Sequence, residues 1–294
     1  MLYDLVAVGE TMTALAPPPG ETLATAGHWL VDHAGAESNT CVGLARLGLR
    51  VAWVSRLGAD APGDRIHESL TAEGVDTRWV GRDATRPTGM MLKEPGSGVR
   101  YYRTGSAASA MGPEVLDGVP FSEARAVLVT GVTALIGARP HAAGLALLGS
   151  ARGLRIVDPN LRPGLWGSDR RVDLVLPFLE RCDLLLAGAA ELAELLGKGD
   201  VHSLAHRAGA RGPKEVVVRD AFTVGALSAD GWQELDIRRD AVVDAIGAGD
   251  AFNAGYIAIR LRGGTVAEAL RGGVRCGAAV TTTPSDTAGF PRSI

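Results

Sequence analysis

The turn Asp244-Ala245-Ile246-Gly247-Ala248-Gly249-Asp250-Ala251-Phe252 leads directly into an apolar stretch of the chain. Gly247 and Gly249 let the backbone approach a ligand closely and turn its N–H groups toward an anion. The helix predicted after them adds the positive end of its dipole. Because a carboxylate is out of place in an anion site, Asp250 is either a helix cap or a base placed where a substrate hydroxyl meets a phosphate.

Two other segments place cations where a ligand could reach them. Tyr101 and Arg103 alternate along a predicted strand, so an aromatic ring and a cation share one face. Arg162 follows the turn-like Asp158-Pro159-Asn160-Leu161 and offers a fork of donors that suits a carboxylate or a phosphate. The plainer interpretations are strand propensity for the tyrosine and an ordinary turn for Asp-Pro-Asn.

Short apolar runs alternate with helical patterns along most of the chain. We predict strands at 5–8, 51–54, 126–129, 154–157, 184–186 and 216–218, and helices at 38–47, 62–73, 139–151, 170–181 and 189–196. This alternation indicates an α/β fold with a mostly parallel sheet covered on both faces, whose ligands bind beyond the carboxyl ends of the strands. The segments around Gly9, Asp158, Gly188 and Gly247 follow such ends or lead into a helix, which favours a single site.

Two segments interrupt the alternation. Residues at about 12–34 are rich in Pro, Gly and polar residues, and 87–105 contains two predicted strands, 90–93 and 99–102, joined by a Pro-Gly turn. They are either a surface loop and hairpin or a small sheet that covers the site.

The composition is that of a soluble globular protein, with 46% hydrophobic and 21% charged residues among 294. A net charge of −3 argues against nucleic acid or an anionic membrane as a partner. The isolated Cys41, Cys182 and Cys276 are expected to be buried thiols rather than ligands or disulfides. No signal peptide or long apolar run is recognisable, so we expect a cytoplasmic protein. The chain also lacks the glycine-rich loops of P-loop enzymes and of Rossmann dehydrogenases.

The turn ending at Asp250 resembles the C-terminal signature of the ribokinase-like (PfkB) family of carbohydrate kinases. Gly35-Ala36-Glu37-Ser38-Asn39, which could otherwise be a helix cap, is similar to the N-terminal signature. The resemblance covers essentially the whole chain. It implies one ribokinase-like α/β domain over residues 1–294, doubly wound and mostly parallel, with a small β-sheet lid formed by the inserted segments at about 12–34 and 87–105.

The resemblance also implies roles for individual residues. Asp250 becomes the catalytic base, and the amides of Gly247, Ala248 and Gly249 become the anion hole for the phosphates of ATP. Glu191 aligns with a glutamate that organises Mg²⁺ through water, although Gly188 replaces the accompanying Asn.

On the substrate side, the resemblance places Gly35 and Asn39 against the sugar, with Ala34 in place of a signature glycine. The segments containing Tyr101, Arg103 and Arg162 are similar to those of 2-keto-3-deoxygluconate kinases, in which these side chains reach a sugar acid. Met91 stands where those kinases often place a second lid tyrosine.

On the nucleotide side, the resemblance assigns Asn160, Arg219 and Gly225 to the cofactor. The loop Arg219–Gly225 departs from the family pattern, because it lacks one glycine, contains the bulky Phe222 and is one residue longer.

Neutral-sugar kinases of the family often carry an acidic residue where this chain has Thr13. An acidic side chain that binds the sugar hydroxyls is therefore expected to be missing. We therefore expect an ATP- and Mg²⁺-dependent kinase that converts 2-keto-3-deoxygluconate to its 6-phosphate, with any monovalent-cation requirement left open. A homo-oligomer, a dimer through the lid, is the expected assembly. The alternatives are a fructokinase or other neutral-sugar kinase, a nucleoside kinase, or a non-catalytic sugar-binding regulator.

Overall fold

The computed structural model describes residues 2–94, 98–162, 171–237, 247–280 and 287–294. In chain order the strands of these ranges are β1 (Leu5–Val8), β2 (Met12–Ala16), β3 (Leu30–Ala34), β4 (Val51–Gly58), β5 (Val80–Asp83), β6 (Met90–Glu94), β7 (Gly98–Tyr102), β8 (Ala126–Thr130), β9 (Leu154–Asp158), β10 (Leu184–Gly188), β11 (Glu215–Arg219), β12 (Thr223–Ser228) and β13 (Gly231–Asp236).

Within the same ranges, nine strands form the main sheet, in the order β13-β12-β11-β10-β9-β8-β1-β4-β5. Every pair from β5 to β11 is parallel, whereas β12 and β13 add to one edge as antiparallel strands. The doubly wound, mostly parallel sheet predicted from the sequence is therefore confirmed.

Helices cover both faces of the main sheet. They are α1 (Ala36–Arg46), α2 (Ala61–Ala72), α3 (Gly131–Leu135), α4 (Ala138–Ser150), α5 (Leu176–Leu179), α6 (Ala189–Leu196), α7 (Val201–Gly209), α8 (Ala248–Leu261) and α9 (Val266–Val280). Alternate strand residues enter opposite cores: Leu5 belongs to the core that includes residues of α1, α8 and α9, whereas Val6 belongs to the core that includes residues of α4 and α7. This two-sided burial explains why the parallel strands are continuous apolar runs.

The remaining described strands form a second sheet, in the order β3-β2-β6-β7, which we call the lid sheet. Its inner face carries a small apolar cluster of Met12, Ala14, Ala34 and Met91, with Val99 and Tyr101 packed against it. The interrupted segment at 12–34 thus contains two strands, β2 and β3, rather than a loop alone.

Several predicted boundaries differ from the structure. The helix predicted at 38–47 begins at Ala36 with Gly35 as its N-cap, so neither Ser38 nor Asn39 caps it. The helix predicted at 170–181 is a 3₁₀ segment, Arg171–Val175, followed by the short α5. Pro177 in the first turn of α5 has no N–H to donate, which prevents one continuous helix. Residue 170 lies outside the described ranges.

The three cysteines are free and buried, as predicted. No helix in the described part of the chain combines the length and the apolar character needed to span a bilayer.

Candidate active site

A cavity of about 460 Å³ lies at the carboxyl ends of the central strands, beneath the lid sheet. Every site residue predicted from the sequence lines it except Ala248 and Gly225. Ala248 sits between two lining residues at the start of α8. The structure therefore gathers residues from distant parts of the chain into one place, as expected for the open edge of a parallel sheet.

The start of α8 faces this cavity. Gly247 is its N-cap with a φ of 83°, a left-handed conformation that side chains rarely adopt. A Cβ on Gly249 would have the guanidinium of Arg219, 4.0 Å away, as its nearest described neighbour, so protein packing does not require this glycine. The first-turn amides of a helix have no acceptor within the helix. These amides suit an anion that approaches closely.

Asp250 is the third residue of α8, so it is not the helix cap. It is buried, and its Oδ2 accepts a hydrogen bond of 2.9 Å from Nδ2 of Asn39 on α1. This amide donor fixes the orientation of the carboxylate. Residues 244–246 of the motif lie outside the described residues.

Asp158, at the end of β9, links this strand to α8 through its carboxylate. Its Oδ1 accepts the backbone N–H of Asn160 at 2.8 Å, and its Oδ2 accepts Nδ2 of Asn253 at 2.6 Å. Asn160 has a φ of 40°, which the short side chain of Asn tolerates better than most. Asn253 was not predicted as a site residue, although its position three residues after Asp250 places both on neighbouring faces of one helix.

Arg219 at the end of β11 joins three parts of the site. Its Nη1 donates to the carbonyl oxygen of Gly249 at 3.1 Å and to Oδ1 of Asn253 at 2.5 Å. Its Nη2 lies 3.6 Å from Oδ2 of Asp158, and its guanidinium lies 5.0 Å from the ring centroid of Phe252. Arg219 therefore braces the first turn of α8 against the sheet.

Glu191 in the first turn of α6 accepts two backbone hydrogen bonds. Leu161 N donates to Oε1 at 2.9 Å and Gly188 N donates to Oε2 at 2.7 Å. Withdrawal from water and the nearby charge of Asp158 raise the pKa of Glu191 to about 7. Among the described residues, no group of three His, Cys, Asp or Glu could ligate a metal directly.

At the lid end of the cavity, the guanidinium of Arg103 lies 4.7 Å from the ring centroid of Tyr101. Its Nε lies 3.2 Å from Oε2 of Glu10, a buried carboxylate that follows β1. Burial raises the pKa of Glu10, and the charge of Arg103 opposes that rise. Glu10 was not predicted as a site residue, although it lines the end of the cavity at which an acidic side chain for the sugar was expected to be missing. Lys93 of β6 is a further lining residue that the sequence did not single out.

The segment Arg219–Gly225 forms a tight hairpin between β11 and β12. Oδ1 of Asp220 accepts the N–H groups of Phe222 and Thr223, and Phe222 is 72% exposed at the tip. Gly225 lies within β12, where a Cβ would overlap the indole of Trp232. Packing thus accounts for this glycine, and its assignment to the nucleotide stays a prediction.

Comparisons with known proteins agree with this arrangement. The family model described as pfkB family carbohydrate kinase matches residues 3–292. A 2-dehydro-3-deoxygluconokinase of Bacillus subtilis is 32% identical, with 99% of this chain and 93% of that protein covered. One from Thermoproteus tenax is also 32% identical, over 99% of this chain and 92% of that protein. The crystal structure of a PfkB protein from Polaromonas sp. JS666 superposes with a TM-score of 0.87 at 34% identity, covering 97% and 98% of the two chains.

Proposed function

Because the chain belongs to the pfkB family of carbohydrate kinases, we propose that it transfers the γ-phosphoryl group of ATP to the primary hydroxyl of 2-keto-3-deoxygluconate. The product is the 6-phosphate. The observation that carries the choice of substrate is Arg103, whose side chain is only 11% exposed and lines the cavity with Nε and Nη1 free of hydrogen bonds to the described residues. A carboxylate is the natural acceptor for such a guanidinium.

Asp250 acts as the general base in this proposal. The Asn39 amide holds one carboxylate oxygen, which fixes the direction in which the carboxylate meets the hydroxyl. As the hydroxyl oxygen attacks the γ-phosphorus of ATP, the bond from that phosphorus to the bridging oxygen breaks and ADP leaves, while the proton of the hydroxyl passes to Asp250.

The first turn of α8 stabilises the transferring group. The amides after Gly247 and the positive end of the helix dipole face the negative charge that develops on the phosphoryl oxygens. Arg219 holds this turn through the Gly249 carbonyl and adds a positive charge nearby.

The carboxylates of Glu191 and Asp158 suit a Mg²⁺ ion that is held through water and phosphate oxygens rather than by protein ligands alone. Both oxygens of Glu191 already accept backbone hydrogen bonds, and Asp158 lies close to it. Mg²⁺ usually keeps several waters and relies on one or two carboxylates plus phosphates. When bound, the ion would neutralise charge on the phosphates of ATP.

A neutral sugar is the second candidate substrate, and Glu10 is the observation that favours it. A buried carboxylate on the sugar side is a good acceptor for sugar hydroxyls. The related 2-dehydro-3-deoxygluconokinases, and the position of Arg103 beside Glu10, favour the sugar acid.

We further propose that the chain is one domain that dimerises through its lid sheet and acts in the cytoplasm. The edge strand β3 exposes Leu30 and Val31, at 46% and 42%, and β7 exposes Tyr102 at 55%. Apolar side chains along a sheet edge are typical of surfaces that pair with another chain.

The test is an ATP-consumption assay over 2-keto-3-deoxygluconate, fructose and a nucleoside, with Asp250→Asn as the control. We expect the sugar acid to have the highest kcat/KM and the variant to lose about 10²–10⁴-fold in kcat. Full activity of the variant would refute the assignment of Asp250 as the general base. A preference for fructose or for the nucleoside would refute the assignment of 2-keto-3-deoxygluconate as the substrate.

A further inference from the structure

Glu10 occupies the junction between the main sheet and the lid sheet. Within the described ranges the chain passes between the two sheets four times: at residues 9–11 after β1, at Gly35 after β3, at Gly89 before β6 and at Arg103 after β7. Glu10 touches or belongs to each of these passages. We call Glu10, Gly35, Gly89 and Arg103 the junction.

The junction is packed closely around Glu10. A Cβ on Gly35 would overlap the carbonyl oxygen of Glu10, and a Cβ on Gly89 would lie 2.8 Å from Oε1. The hydroxyl of Ser106 donates to the same Oε1 at 2.9 Å. The carboxylate therefore has one position, with Oε1 held by protein atoms.

The other half of the carboxylate is not satisfied in this way. Oε2 of Glu10 accepts no hydrogen bond from the described residues, although Nε of Arg103 lies 3.2 Å away. Nε and Nη1 of Arg103 also lack acceptors there, and Nη2 points at Sδ of Met12, a weak acceptor. Oε2 of Glu10 and Nε of Arg103 form an ion pair, but they and Nη1 of Arg103 are buried in the wall of the cavity without a hydrogen bond to the described residues. Each such group costs free energy unless a ligand provides the missing hydrogen bond.

From this geometry we propose that Glu10 is a specificity-determining residue. Its Oε2 accepts a hydrogen bond from a substrate hydroxyl, and its carboxylate positions Arg103 for the substrate carboxylate. The inference rests on the proposed function and adds a second requirement to it: the ligand must offer a carboxylate and a hydroxyl together. Glu10 also neutralises Arg103, so a simple anion without a hydroxyl binds less well than the charge of Arg103 alone would suggest.

Two simpler roles make different predictions. If Glu10 only neutralised Arg103, its removal would strengthen the binding of any carboxylate. If Glu10 only held the junction together, its removal would lower stability and the affinities for both substrates in parallel.

The experiment compares the wild-type enzyme with Glu10→Gln, Arg103→Lys and the double variant, using 2-keto-3-deoxygluconate and ATP. For Glu10→Gln we expect KM for the sugar acid to rise about 10-fold or more, because a hydrogen bond to a charged group is lost. We expect KM for ATP to stay within about 2-fold, since Glu10 touches none of the residues assigned to the nucleotide. The effects of the two single variants should be less than additive in the double variant, because both residues act on one ligand.

Glu37→Gln is the matched control. Glu37 is an equally buried carboxylate near the end of β1, but it does not line the cavity. Its variant should leave KM for the sugar acid unchanged whatever happens to the melting temperature.

An unchanged or lower KM for the sugar acid in Glu10→Gln, or a parallel rise in KM for ATP, would overturn the inference. A wild-type enzyme that phosphorylates only neutral sugars would instead refute the proposed function. In that case a raised KM for the neutral sugar in Glu10→Gln would still support the acceptor role of Oε2, and an unchanged KM would overturn it.

Discussion

Nδ2 of Asn39 donates a 2.9 Å hydrogen bond to Oδ2 of Asp250, joining two buried side chains that are 211 residues apart in the chain. The bond crosses from α1 to α8, and each helix carries one of the two sequence signatures. The N-terminal signature is thereby connected to Asp250, the residue proposed as the base. The family resemblance had placed Asn39 against the sugar.

Asn39→Ala should therefore lower kcat more than it raises KM for the sugar acid. We expect a loss of about 10-fold or more in kcat, because Asp250 loses the donor that orients it. Thr40→Val is the matched control, since that hydroxyl donates to Ala36 O within its own helix. Steady-state kinetics with both substrates measures the changes in kcat and in KM separately. A raised KM at full kcat would show that Asn39 serves the sugar instead.

Alanine substitutions at Gly247 and Gly249 should affect different properties of the protein. Gly247→Ala forces a side chain into a left-handed conformation and should cost about 1–2 kcal/mol of unfolding free energy. Gly249→Ala meets no described atom closer than 4.0 Å, so its stability should be unchanged, whereas KM for ATP should rise about 10-fold. Urea unfolding and ATP titration separate the two effects. Unimpaired ATP binding by Gly249→Ala would contradict the phosphate cradle.

Arg219→Gln should destabilise the protein by about 1–3 kcal/mol. The change removes the donors to Gly249 and Asn253 and leaves Asp158 without its nearby cation. Arg211→Gln is the control, because its ion pair with Glu180 is exposed and 3.6 Å long, and such pairs contribute little. Denaturant unfolding of both variants tests this; equal stabilities would show that Arg219 is not a brace.

Glu37→Gln should make stability less dependent on pH. Glu37 is buried behind the site, where its Oε1 accepts from Thr130 and Thr133, and burial raises its pKa above the usual 4.5. The folded state therefore keeps a proton that the unfolded state has already lost. As pH rises from 4.5 to the raised pKa, the unfolding free energy of the wild type must fall.

The neutral amide of the Glu37→Gln variant has no proton to lose, so its stability should fall less over the same range. Unfolding free energies measured from about pH 5 to about pH 8 provide the test. Parallel curves for the two proteins would mean that Glu37 ionises as readily in the folded state as in the unfolded chain.

The main sheet was predictable because strands buried on both faces are continuous apolar runs, and helices separate them at regular intervals. β13 has no such signal, since its residues are exposed or half-buried and pair only with β12. That Gly247, Gly249 and Asp250 belong to one site was predictable because their residue pattern is local in sequence.

Glu10 was missed for the opposite reason. Its partners Arg103 and Ser106 follow it by more than ninety residues, and the short Gly-Glu-Thr segment gives no sign of burial. Asn253 was missed although its helical spacing from Asp250 was visible in the sequence. Long-range pairing decides both cases, and such pairing depends on the folded topology rather than on local pattern.

The junction also has a mechanical consequence. Because the four described passages between the sheets meet around one carboxylate, the lid sheet is attached to the main sheet at its base. Its strands are hydrogen-bonded to one another, so any tilt about that base would move them together as one plate. The ends of β6 and β7 at Glu94 and Gly98, which are remote from this base, would then travel furthest for a given tilt, while Glu10 and Arg103, next to the axis, would keep nearly the same separation.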